Sequence, residues 1–143
     1  MLTIRDEQMD AFQETAEAAF AKKIIEYLKE NHGDEIVQIP DGKCKIAHLP
    51  ETIFFDMVFK SLQRAKRFGF SYRSTLKTYV VLRFVVAPNF DEHPIIKRIL
   101  TDENIPADDR IDQLWERTSE QNWEAAEQNY DTDAWGIKQE SGE

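Results

Sequence analysis

Seven apolar residues, Tyr79, Val80, Val81, Leu82, Phe84, Val85 and Val86, crowd around a single arginine, Arg83, and Pro88 closes the run. Such a composition suits a buried strand, yet Leu76, Tyr79, Val80, Arg83 and Phe84 also recur at helical spacing. A strand buried on both faces needs neighbours for its backbone N–H and C=O groups, and no other segment offers an alternating run of comparable strength. Residues 73–87 are therefore predicted as a fully buried central helix ended by Pro88. The near-apolar core of the run, Tyr79 to Ala87, is interrupted by Arg83 and falls far short of the roughly 20 residues a membrane span requires.

A central helix needs other helices around it. Thr3 and Asp6 form a capping signal, and Met9, Phe12, Ala16, Ala19, Phe20, Ile24, Tyr27 and Leu28 make one apolar stripe up to a stop at Gly33, so a helix is predicted over about residues 4–31. Phe54, Phe55, Val58, Leu62 and Ala65 make a second stripe from Glu51 to Gly69, with Lys66 and Arg67 at its negative end. Pro94 opens a short helix through residue 101, and Pro106 with Asp108 and Asp109 opens another carrying Ile111, Leu114 and Trp115. Residues 34–50 are punctuated by Pro40, Asp41, Gly42 and Pro50. They are read as a loop, the alternative being a small hairpin pairing Ile36–Ile39 with Lys43–Ala47.

Beyond Thr118 the apolar stripe thins to Trp123, Tyr130 and Trp135 in an acidic background, and order is expected to fade after about residue 130. The expected fold is all-α: a compact single-domain bundle of about five helices over residues 1–118 with one buried central helix, followed by a partly disordered acidic tail over 119–143. A chain of 143 residues suffices for one such core.

Charge is divided along the chain. Residues 51–100 hold 9 basic and 4 acidic side chains and residues 101–143 hold 3 and 13, so a basic middle faces an acidic end, and the expectation is that the two pair within the molecule. The overall charge of −9 disfavours a general nucleic-acid binder. Lys60, Arg64, Lys66, Arg67, Arg73, Lys77 and Arg83 form the best candidate binding surface, because residues 60, 64 and 67 fall at i, i+4 and i+7 of one helix. Trp123, Tyr130 and Trp135 are the converse element, aromatics in an acidic segment that can dock on a partner, with residues 119–137 as the docking element. The predicted partner-binding set is thus Lys60, Arg64, Arg67, Arg73, Trp123, Tyr130 and Trp135.

Catalytic chemistry finds little purchase. The chain contains no glycine-rich phosphate loop, no Gly-x-Ser-x-Gly elbow and no His-Glu-x-x-His pair, which removes the commonest motif-based enzyme assignments. Cys44 and His48 alone have local spacing for a shared metal, and two ligands do not make a site. Cys44 as nucleophile has lysine neighbours but no oriented base. Asp91 with His93 is a conceivable acid–base pair, but a cap by Asp91 or Glu92 on the helix starting at Pro94, with His93 exposed, is the preferred reading. No cofactor and no metal are expected. One cysteine excludes an internal disulfide and fits a reducing compartment. The start, MLTIRDEQMDAF, lacks a basic region followed by an apolar core, so no secretory leader is read there.

Two regions, MLTIRDEQMDAF and the stretch from Arg67 to Glu116, carry a resemblance: Ile4-Arg5 with Gln8-Met9, the Phe68-Gly69-Phe70 turn, Asn89-Phe90-Asp91 with Pro94, and Ile99-Leu100 before Pro106. In these the chain resembles a family of small helical proteins encoded beside type VI secretion components and their toxins. It departs from that pattern in its PDGKCKIAHLP insertion and its long acidic end. The resemblance implies a non-catalytic accessory role in a bacterial cytoplasm, as adaptor, chaperone or immunity partner of a secreted toxin or secretion component. The resulting expectation is a protein-binding factor that contacts no membrane. The alternatives are a nucleic-acid-binding module using residues 60–83 and a small enzyme without a recognisable motif.

Overall fold

The computed structural model describes residues 6–137, with side chains in the first helix from Ala16 onward. The fold is predominantly helical. Among the described residues six α-helices, α1 (Asp6–His32), α2 (Glu51–Arg67), α3 (Arg73–Val85), α4 (Pro94–Leu100), α5 (Arg110–Arg117) and α6 (Glu120–Gln128), surround one core, with a two-stranded sheet of β1 (Ile36–Ile39) and β2 (Gly42–Lys45). The predicted cap at Thr3, the Met9 and Phe12 side chains and residues 138–143 lie outside the described residues. No described helix is long and apolar enough to cross a membrane.

The predicted central helix forms, ending at Val85, but it is not fully buried: Arg73 and Ser74 are exposed, and Lys77, Thr78, Val81 and Val85 are half-buried. On α3, Leu76, Tyr79, Val80, Leu82 and Phe84 are buried, and the helix packs on α1, α2, α5 and β1. α2 contributes Phe54, Met57, Val58, Leu62 and Ala65 to the same core. α1 ends before Gly33, where a Cβ atom would lie 2.5 Å from the Lys29 carbonyl oxygen, so only glycine lets the chain turn there. Beyond α2 and its cap residue Phe68, the chain turns at Gly69, whose φ of +90° is a glycine conformation.

The entry to α3 is capped from a distance. Asp108 accepts from the N–H groups of Ser71 (3.0 Å) and Tyr72 (2.9 Å) and from the Ser71 hydroxyl (3.1 Å). Burial raises the pKa of Asp108, but the bonds from Tyr72, Ser71 and Thr75 outweigh it and hold the carboxyl below the ordinary aspartate range. A depressed carboxylate stabilises the fold above its unfolded value, near 3.9, and that contribution is lost as pH falls through the folded value. Asp108→Ala is accordingly expected to cost about 1 kcal/mol at neutral pH. In urea titrations the gap from the unaltered chain closes as the pH drops below about 4.

Two expectations for the connecting segments change. Residues 36–45 form a hairpin rather than a loop, with Ile36 opposite Lys45 and Ile39 opposite Gly42 across the two-residue turn Pro40–Asp41. The ladder is short, but it has a second source of stability. Next to the closing pair, Gln38 sits in a non-hydrogen-bonded pair with Lys43, so its backbone groups point away from β2. They meet side chains from the far end of the chain: the Gln38 N–H donates to the Tyr130 hydroxyl (3.1 Å), and the Gln38 carbonyl accepts from Tyr130 (3.1 Å) and from the Trp135 indole N–H (2.8 Å).

The α4 cap is also different. His93 is the N-cap, its Nδ1 accepting from the Ile95 N–H at 3.2 Å, while Asp91 is turned inward, 2% exposed. A buried carboxylate goes where cations and hydroxyls satisfy it, and here those are Arg64 and Tyr79.

The expected break after Thr118 is absent from the packing. α6 starts in a capping box at Ser119 and lies against the turn Phe90–Glu92, and the turn Thr132–Trp135 packs on β1 and α2. Trp135 is fully buried, its ring 4.8 Å from that of Phe84. Residues 119–137 of the segment read as a separate tail therefore help complete the core, because Trp123, Tyr130 and Trp135 supply apolar area that the acidic background hides in the sequence.

Candidate functional site

Arg64 and Arg67, one turn apart at the end of α2, open into a cleft of about 720 Å³ that also reaches Phe68, Asp91, Lys97, Leu100, Glu103 and Arg110. One wall is a fixed ion pair. Arg64 donates from Nε to Asp91 Oδ2 (2.9 Å) and from its terminal nitrogen to Asp91 Oδ1 (2.6 Å) and Glu92 (3.1 Å), and the Tyr79 hydroxyl donates to Asp91 from the core side. The hydrogen bond to Asp91 holds the Arg64 guanidinium above its ordinary pKa. Burial, then the Asp91 charge, pushes the Tyr79 hydroxyl up as well. Arg64 is a structural cation whose charge is already matched.

The other three cations of the cleft are not matched. Arg110 is held in place by carbonyls alone, donating to Ile105 (2.9 Å), Leu100 (3.3 Å) and Phe68 (3.4 Å). Arg67 and Lys97 are exposed and form no ion pair with a described residue. Against them stand Glu103 and the remainder of Glu92, so four cations and three carboxylates leave the lining positive. Such a cleft can hold a carboxylate between exposed ammonium and guanidinium groups over the apolar floor of Phe68 and Leu100.

The rest of the basic series does not join this surface. Arg73 lies over the Phe20 ring (5.4 Å), Lys77 over Tyr27 (3.7 Å), and Lys66 pairs with Glu17, all toward α1. Lys60 donates to the Gly136 carbonyl at 2.8 Å. Arg83, taken as a surface cation, is 1% exposed. It donates to Pro88 O (2.8 Å), the Ser61 hydroxyl (2.7 Å) and Ala134 O, with Trp135 stacked on it at 5.1 Å. Burial pushes its pKa down to about 10, which leaves it cationic at neutral pH, held by oxygen dipoles in place of a carboxylate.

Of the aromatic candidates, Trp135 is core and Tyr130 is spent on Gln38. Trp123 is half-buried, its indole N–H bonded to the Thr118 hydroxyl at 2.8 Å. The basic middle and the acidic end do not pair as expected. Among the described residues no ion pair joins a basic side chain of 51–100 to an acidic one of 119–137. The segment docks through an indole, a phenol and carbonyls, without a described ion pair to the basic middle.

A larger groove, about 1060 Å³, runs between α1 and α2. Lys22, Lys29 and Lys60 there face Glu26, Glu51 and Asp56, a balance that selects no charge. Among the described residues no three His, Cys, Asp or Glu side chains converge as metal ligands. Lys97 and Arg110 were missed from sequence because each belongs to a short helix distant from α2. The available signal was their position on the polar side of stripes carrying Ile96, Ile99, Ile111 and Leu114. No protein family, no curated protein and no solved structure matches the chain, so its own side chains carry the functional reading.

Proposed function

We propose that the protein is a non-catalytic protein-binding factor that receives an acidic segment of a partner in the cleft between α2, α4 and α5. The observation that carries this reading is the set Arg67, Lys97 and Arg110: three cations that form no ion pair with a described residue, around an apolar floor. Opposite charge across such a cleft accelerates encounter, and a carboxylate gripped by guanidinium groups lengthens the complex's life. The resemblance to accessory proteins encoded beside type VI toxins supplies the biological form: adaptor, chaperone or immunity partner of a secreted effector, in the cytoplasm.

The test is fluorescence anisotropy with a labelled peptide of alternating glutamate and leucine. The unaltered chain is expected to bind it, and the double variant Arg67→Glu with Lys97→Glu to weaken binding at least about tenfold. Both residues are exposed, so folding is preserved; Arg64 is left alone because it holds Asp91. Peptide affinity unchanged by the double variant overturns the proposal, as does tighter binding of duplex DNA with a steep loss on adding salt.

A further inference from the structure

A second surface, lined by residues other than those of the cleft, lies on α5 and α6. Trp115 on α5 is 54% exposed, one of the three most exposed large apolar side chains among the described residues. Its ring lies 5.9 Å from that of Trp123 at 22°, and Trp123 lies 6.2 Å from Phe90 at 25°. The order Phe90, Trp123, Trp115 is a stack that begins in the core and ends in solvent. Trp123 cannot turn away, since its indole N–H is bonded to Thr118, so the outer face of Trp115 is presented on a fixed support.

The charge around this stack is predominantly negative. Glu120, Glu124 and Glu127 recur at i, i+4 and i+7 of α6, and Asp112 and Glu116 lie within one turn of Trp115 on α5. All five are exposed and none forms an ion pair with a described residue. The nearby cation Arg117 is turned to Asp102 at 3.6 Å. Elsewhere the chain covers its own rings with cations: Lys29 over Phe54, Arg73 over Phe20, Lys77 over Tyr27 and Arg83 over Trp135. Trp115, with the most favourable ring for such a contact, has no described cation above it.

We infer that the Trp115–Trp123 stack with its flanking carboxylates is a docking surface for an arginine-rich segment of another protein. A guanidinium is planar and weakly hydrated, so it stacks on an indole face while its N–H groups reach the neighbouring glutamates. The carboxylates give the long-range attraction and the tryptophan selects guanidinium over ammonium.

The probe is a short peptide alternating arginine and glycine, titrated into the full chain by calorimetry, beside its lysine and leucine counterparts. Tightest binding of the arginine peptide is expected, with Trp115→Ala weakening it about tenfold. The triple variant Glu120→Gln, Glu124→Gln, Glu127→Gln is expected to weaken it further and to flatten its salt dependence. Arg67→Ala with Lys97→Ala leaves it unchanged. Circular dichroism of each variant should match the unaltered chain, since every altered side chain is exposed. Equal affinity for the lysine or leucine peptide, indifference to Trp115→Ala, or self-association of the chain through Trp115 in sedimentation overturns the proposal.

Discussion

Trp135→Ala is expected to destabilise the fold by about 3–5 kcal/mol and to lower the melting temperature by roughly 10–20 °C. The indole is wholly enclosed, tilted against Phe84 with the Arg83 guanidinium over its ring, and its N–H holds the Gln38 carbonyl. Truncation empties a large site, leaves the carbonyl one donor short and removes the lid of a buried cation. Trp135→Phe separates these contributions. It retains an aromatic face toward Phe84 but no donor for Gln38, and its expected cost is about 1–2 kcal/mol. Both follow from denaturant unfolding watched by circular dichroism. A loss under about 1 kcal/mol for Trp135→Ala would mean the residue does not close the core.

The second large effect concerns the buried carboxylate. The side chain of Asp91 is 1% exposed and that of Arg64 is 24% exposed, so the two partners are not equivalent. If Asp91 is replaced by Asn, Arg64 can still turn to water and Glu92, and Tyr79 retains an oxygen to donate to; the expected cost is about 1–2 kcal/mol. Arg64→Ala instead strands a carboxylate in the interior with a single hydroxyl, at an expected cost of about 3–5 kcal/mol. Replacing both, Arg64→Met with Asp91→Leu, is expected to recover most of that loss. If the Asn variant proved the more damaging of the two singles, the carboxylate would be less dependent on Arg64 than the geometry indicates.

The helical core was legible because it depends on local periodicity. The stripes on α2 and α3 name most of the buried residues, though Phe55 is only half-buried and Met57 was left out, and the argument that Tyr79–Val86 had no strand to pair with is sound: the β1–β2 ladder is too short to serve that run, and it packs beside α3. What was not legible depends on partners far along the chain. The hairpin edge at Gln38 is completed by Tyr130 and Trp135, 92 and 97 residues away, and no local pattern announces such a contact. Arg83 looked like a surface cation by residue type; its place within an apolar run was the clue that it is interior. Arg64 and Arg67 were placed on one face correctly by spacing, but Lys97 and Arg110 come from other helices, so the cleft existed in the sequence only as separate pieces.

The closure of the β1 edge by Tyr130 and Trp135 also orders events in time. α1, α2 and α3 meet through contacts spanning modest lengths of chain, whereas the edge at Gln38 waits for a loop of 92 to 97 residues to close. A chain still growing on the ribosome must carry an open strand edge and an unsatisfied Arg83 until residues 130–135 emerge. Interactions that form after the rate-limiting step influence the escape rate more than the folding rate. The indole at 135 is thus expected to act as a brake on unfolding: in stopped-flow measurements Trp135→Ala should raise the unfolding rate and leave the folding rate nearly unchanged.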